Sequence, residues 1–170
     1  MRPANFLSII SFNWGTNMKS KWIALAISFV FVSVALGYQD SASMGTWKLN
    51  ESKSKFAGKA RNHTVVYEAA GDQVKVIVDG VDENGGAVHH EWTGKYDGKN
   101  YPVTGDPNSD ARSYRMVDKR TLELVAMKDG KQVLTGRIVY AADGKSRTLT
   151  TTATDAEGKK LTNVAVYEKQ

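Results

Sequence analysis

The sequence predicts an all-β protein, an antiparallel up-and-down meander β-barrel of about 8–10 strands behind an N-terminal signal peptide. Three observations carry this reading. Beyond Met44 the chain breaks into short segments in which apolar and polar residues alternate, the period of a strand with one buried face. These segments recur at a spacing of about ten residues, too close for intervening crossover helices. Between them stand Gly-Asp, Asp-Gly and Gly-Gly dipeptides, residues that tolerate the positive φ of tight turns.

In order, the strands are read at 46–50, 63–68, 73–79, 87–95, a short piece around Tyr101, 112–117, 121–128, 131–140, 147–154 and 161–169. Val74, Val76 and Val78 alternate with Lys75 and Ile77. Asp97-Gly98, Asp129-Gly130 and Asp143-Gly144 read as hairpin turns, as do 83–86 and 157–158. Thr148, Thr150, Thr151 and Thr152 are β-favouring residues rather than a low-complexity tract. Only 51–61 lacks strand character. It reads as a loop or one short helical turn, with Phe56 plugging an end of the sheet.

The chain has 170 residues, of which 41% are hydrophobic and 24% charged, enough for one modest core and too little charge for wholesale disorder. Arg2, Lys19 and Lys21 are the only charged residues before Tyr38. Without 1–37 there remain 20 Lys+Arg against 18 Asp+Glu, a net charge of +2 in place of +5. That near-neutral balance offers no basic stripe for nucleic acid. The absence of cysteine removes disulfides, thiol nucleophiles, Cys-based zinc sites and a lipoprotein anchor.

From Met18 the chain reads Met-Lys-Ser-Lys, and Trp22 to Leu36 is a run of 15 largely apolar residues ending at Ala35-Leu36-Gly37. A positive start, an apolar middle and a small-x-small exit make up a secretory signal peptide, and the run is short of the ~20 residues a spanning helix needs. Residues 1–37 are therefore the expected signal, with translation starting at Met1 or at Met18. Residues 38–44 form a short linker and 45–170 a single barrel domain. The expected location is exported, periplasmic or extracellular, with no stable membrane insertion after cleavage.

Gly45-Thr46-Trp47-Lys48-Leu49 resembles the G-x-W opening strand of the lipocalins and fatty-acid-binding proteins, the calycin group. Val166-Tyr167-Glu168-Lys169 is similar to the last strand of the fatty-acid-binding proteins. The mature chain also resembles an uncharacterised family of small exported bacterial proteins. That likeness runs through 45–49, Ser52-Lys53-Ser54-Lys55-Phe56, Tyr96-Asp97-Gly98-Lys99, Tyr101-Pro102-Val103-Thr104-Gly105 and 164–169. The calycin resemblance implies that Gly45 and Trp47 close one end of the barrel, that Tyr167 points inward, and that a small, mostly apolar molecule binds inside. Two departures weigh on it. Ala165 stands where the fatty-acid-binding proteins carry a carboxylate-binding Arg, which implies no preference for an acid. The 51–61 segment is too short for their two lid helices.

Strand parity places Val88, His90 and Trp92 on one face. An inward His90 beside Trp92 would orient a ligand or serve as a hydrogen-bonded core residue. Arg115 is a second candidate ligand contact. Arg137 is a third, inward if Val133 and Val139 face the core and outward if Leu134, Ile138 and Tyr140 do. Three histidines, two of them adjacent and so on opposite strand faces, give no metal site. No G-x-S-x-G elbow or His-Glu-x-x-His helix is present, and no catalytic residue or cofactor is expected. The expected function is a non-enzymatic, lipocalin-like small-molecule binder. The alternative is a protein-interaction or inhibitor module with a solid core and an unidentified protein partner.

Signal cleavage near Gly37 is the first expected outcome, checked by N-terminal sequencing of protein from the producing cell. An intact Met18 on a membrane-embedded product would overturn export.

Overall fold

The computed structural model describes residues 42–154 and 157–170, so the expected signal peptide (1–37) lies outside the described residues. The strands are β1 (Gly45–Leu49), β2 (Arg61–Ala70), β3 (Gln73–Val81), β4 (Ala87–Gly94), β5 (Tyr101–Thr104), β6 (Ala111–Asp118), β7 (Thr121–Lys128), β8 (Lys131–Tyr140), β9 (Ser146–Thr154) and β10 (Lys160–Lys169). Each pairs antiparallel with its chain neighbours, and β1 pairs with both β2 and β10, closing a ten-stranded barrel. The fold class read from the alternation is the one observed.

Closure rests on a short strand. Trp47 is opposite Val65 on β2 and Lys169 on β10, so five residues bridge the first and last hairpins. Gly45 opens that strand at φ +102°, a region L side chains rarely adopt, and a Cβ there would sit 3.3 Å from the Lys169 side chain. At the β7–β8 hairpin both Asp129 (φ 49°) and Gly130 (φ 72°) take positive φ, the signature of a tight I′ turn. Asp97-Gly98 and Asp143-Gly144 lie instead in longer connections, where Asp97 and Asp143 accept hydrogen bonds from the backbone N–H of Lys99 and Lys145.

The 51–61 segment contains one 3-10 turn, Glu51–Lys53, capped by the Asn50 side chain accepting from the Lys53 N–H. It is then stitched to β10 through Lys55 and Val164. Phe56 is half-buried at the margin of the core, with the Arg61 guanidinium 4.9 Å above its ring.

One end of the barrel is filled with aromatic rings. Trp47 is wholly buried and lies 5.6 Å from Tyr140, while Trp92 lies 4.7 Å from Tyr114 and 5.8 Å from Tyr101. Such ring pairs add to the area they bury. The expected linker is outside the described residues over 38–41, and its remainder, 42–44, is no free tether. Ser43 is buried beneath the barrel, its carbonyl accepting from Trp47 Nε1 at 2.8 Å. The 42–44 turn thus supplies the acceptor that a buried indole N–H needs.

Trp47→Ala is expected to destabilise the protein by about 3–5 kcal/mol, the cost of truncating a large buried aromatic. Denaturant melts of the two proteins measure it. A loss within about 0.5 kcal/mol, typical of surface positions, would contradict the role of Trp47 in filling this end.

Candidate functional site

A ring of about eight strands is just wide enough for its own side chains to fill. Ten strands enclose more. Beyond the aromatic end the interior opens into a cavity of about 620 Å³, within the range of about 300–1,000 Å³ typical of small-molecule sites. Its mouth lies among 57–60, the β3–β4 turn and residues 106–109 before β6. Most of the wall is apolar, with Val65, Val78, Leu124, Ile138 and Leu149 contributing. Polar groups gather at two places.

The first is Arg147, near the start of β9. On its face of the sheet it is flanked by Tyr140 of β8 and Tyr167 of β10, its register partners on either side. Its side chain therefore points into the barrel and is only 2% exposed. The guanidinium carbon lies 4.8 Å from the rings of Tyr67 and Tyr167 and 5.0 Å from that of Trp47. Nη1 donates to the Tyr67 hydroxyl at 2.6 Å. Nε and the Tyr140 hydroxyl make no hydrogen bond, and among the described residues no carboxylate pairs with this arginine. Burial opposes its charge, but the surrounding tyrosines 67, 140 and 167 outweigh that and keep it protonated. Burial also pushes the Tyr167 phenol up to about 12, with Arg147 opposing. A desolvated cation–π contact is worth about 2 kcal/mol or more, which offsets part of the cost of burying the charge without supplying a counter-ion.

The second place lies toward the mouth. Arg112, also buried, pairs with Asp106 at 2.8 Å, and Asp106 further accepts from the Ser109 hydroxyl and the Asn108 N–H. Burial raises the Asp106 carboxyl, but these donors and Arg112 prevail and hold it below the usual carboxylate range. Beside them His90 is 6% exposed and lines the cavity, and its Nδ1 has no hydrogen-bond partner. Burial and then the Arg112 charge press the imidazole down to about 4, so it is neutral at physiological pH.

Of the residues singled out from sequence, His90, Trp92 and Tyr167 face inward. Tyr167 lines the cavity and donates to the Asn62 carbonyl at 2.9 Å. Trp92 does not line it. Its ring is locked into the aromatic end and its Nε1 donates to the Arg112 carbonyl at 2.9 Å. Arg115 and Arg137 require correction as ligand contacts. Leu134, Ile138 and Tyr140 form the inner face of β8 and Tyr114 lies on that of β6, so both arginines point outward. There they share the Glu123 carboxylate.

The inward arginines are Arg112 and Arg147, which sequence reasoning missed. Parity held the signal for both. Arg112 falls in step with Tyr114 and Met116, and Arg147 with Leu149 and Ala153.

No protein-family model matches the sequence, and no curated protein does. Among solved structures the chain is similar to EF1p2_mFAP2b bound to DFHBI, at 9% identity over 76% of this chain and 94% of that one, with a TM-score of 0.45. It is likewise similar to a redesigned beta barrel, mFAP1, bound to DFHBI, at 14% identity over 76% and 97%, with a TM-score of 0.43.

The depressed His90 gives a testable pH dependence. Between pH 6.5 and about 4 the unfolded chain binds a proton at this position and the folded chain does not. Stability therefore falls as pH falls through that window. Relative to His90→Leu, the protein is expected to lose on the order of 2 kcal/mol between pH 7 and pH 4, allowing for water reaching the ring from the cavity. Parallel melts at the two pH values measure the difference. Equal losses in both proteins would mean that the ring is solvated and titrates normally.

Proposed function

We propose that this barrel is a non-enzymatic, calycin-like carrier that acts after export and holds one small, mostly apolar molecule with an anionic end against Arg147. The observation that carries this is the pairing of an open, largely apolar interior with a buried guanidinium at its floor that has no carboxylate partner among the described residues. The open interior also favours a carrier over an interaction module with a solid core.

The physical logic is one of compensation. A buried charge is expensive when alone and tolerable when paired and hydrogen-bonded. Tyr67, Tyr167 and Trp47 hold the guanidinium in place through their rings and one hydroxyl. A carboxylate arriving from the mouth supplies the missing counter-charge and leaves its apolar body among Leu124, Ile138 and Leu149. Arg112 offers no such opening because Asp106 already occupies it. Ala165 in place of the last-strand arginine thus leaves the interior with a cation after all, delivered from the neighbouring strand β9.

Calorimetric titration with dodecanoic acid and with dodecanol tests this reading. A charge-assisted hydrogen bond is worth about 1.5–3 kcal/mol, so the acid is expected to bind about 10- to 100-fold more tightly than the alcohol. Arg147→Met should abolish that preference while leaving the unliganded protein at least as stable, since an apolar side chain of similar length replaces an unpaired buried charge. Equal binding of acid and alcohol by the unaltered protein would overturn the anionic end, and binding of neither would overturn the carrier.

A further inference from the structure

We infer that His90 is a second point of ligand recognition, and that the barrel selects amphipathic acids bearing a neutral hydrogen-bonding substituent, a hydroxyl or a carbonyl, partway along the apolar body. This rests on the carrier reading above and narrows it to a class of acid.

His90 is a buried polar side chain in the wall of the same cavity as Arg147, and its Nδ1 is without a partner. Buried polar atoms are nearly always hydrogen-bonded, so a cavity-lining imidazole with an unpartnered nitrogen has hydrogen-bonding capacity that the protein itself does not use. The neighbouring groups do not take it up. The Arg112 guanidinium is engaged by Asp106 and Ser109, and Asp106 is engaged by Arg112, Ser109 and the Asn108 N–H. That ion pair is closed on itself and leaves the imidazole out. The adjacent His89 shows the ordinary arrangement: it points to solvent and is bonded to Asp79 at 2.7 Å.

The charge state decides what His90 can take. A neutral imidazole offers one donor and one acceptor whichever nitrogen carries the proton. Beside it Arg112 and Asp106 cancel, so nothing at this level attracts a second anion. A hydroxyl, which both donates and accepts, fits either tautomer, and a carbonyl fits the donor nitrogen. A second carboxylate does not fit.

Position along the ligand follows from the strand. His90 is one inward residue nearer the mouth than Trp92, whose ring packs on the floor residue Tyr114. Successive inward positions are about 7 Å apart along a strand. Tyr67, which holds Arg147, is in register with Trp92 through Val76, so with the carboxylate at Arg147 the substituent meeting His90 is several carbons up the chain and not beside the head group.

The test is a set of monohydroxylated dodecanoic acids, with the hydroxyl moved along the chain, titrated against dodecanoic acid itself. One narrow window of hydroxyl positions is expected to bind about tenfold more tightly than the plain acid, the size of one well-placed hydrogen bond. In His90→Leu the ratio of hydroxylated to plain acid should fall to near one, and in His90→Gln, which keeps a donor and an acceptor, part of it should return. Far-UV dichroism of each variant confirms that the barrel is intact. If plain acid binds with its preference over the alcohol but no hydroxyl position improves on it, or if the improvement survives in His90→Leu, the role of His90 is overturned and the carrier reading stands. If no acid binds at all, both fall together.

Discussion

Closure of the ring is the constraint on which the rest of the structure depends. β1 contributes only five residues, yet it joins β2 to β10 and brings together side chains far apart in sequence. The Tyr67 hydroxyl and Arg147 are 80 residues apart and meet only because the sheet comes full circle. Closure also removes the unpaired strand edges that an open meander would present. It commits alternate residues of every strand to one lumen, and at ten strands that lumen is too wide for side chains to fill throughout. The chain resolves this unevenly. Large rings crowd one end, anchored by Trp47 on the Ser43 carbonyl, while smaller aliphatic residues line the other and leave it open.

The interior holds two arginines in opposite electrostatic circumstances. Arg112 has a carboxylate, a hydroxyl and a network of local donors around Asp106, the usual solution for a buried cation. Arg147 has rings and one phenol. Quadrupoles attract the guanidinium but do not neutralise it. Since both sit in one cavity, the contrast is not explained by a general tolerance of the fold for buried charge. It sets one arginine as part of the wall and the other as the group with capacity to spare.

A folded chain gains little stability from such an arrangement. Apolar residues in the place of Arg147 and His90 would be less costly to bury. Local departures from what stability favours concentrate where a protein does its work. Arg147 and His90 are in the wall of a single cavity, with the Tyr140 hydroxyl, also unpartnered, on the strand next to Arg147, whereas among the described residues Lys75–Glu91, Lys53–Glu168 and the Arg115–Glu123–Arg137 group are ordinary solvated pairings.

The period-two alternation, the Asp129-Gly130 turn and the ten-residue rhythm determined the strands and their antiparallel order, because these are local properties written in neighbouring residues. The same alternation put His90 in step with Trp92, while the inward setting of Tyr167 was implied by the resemblance of the last strand. Alternation also carries the inward setting of Arg112 and Arg147, which are in step with Tyr114 and with Leu149, whereas Arg115 and Arg137, the arginines singled out from sequence, fall on the opposite faces of their strands. For Arg137 parity was ambiguous, since Val133 and Val139 compete with Leu134, Ile138 and Tyr140 for the core. The register shift at Ala126/Met127 leaves Val133 as the extra, unpaired residue of β8, lining the mouth out of step with Val139, which stays in solvent, while Ile138 and Tyr140 are buried in the inner face. Only the tertiary structure decided that Trp92 belongs to the filled end and not to the cavity wall, and that Arg112 has a carboxylate while Arg147 does not. Those outcomes depend on which residues of distant strands come level around the ring, and register around a closed barrel is a property of the whole circuit rather than of any one strand.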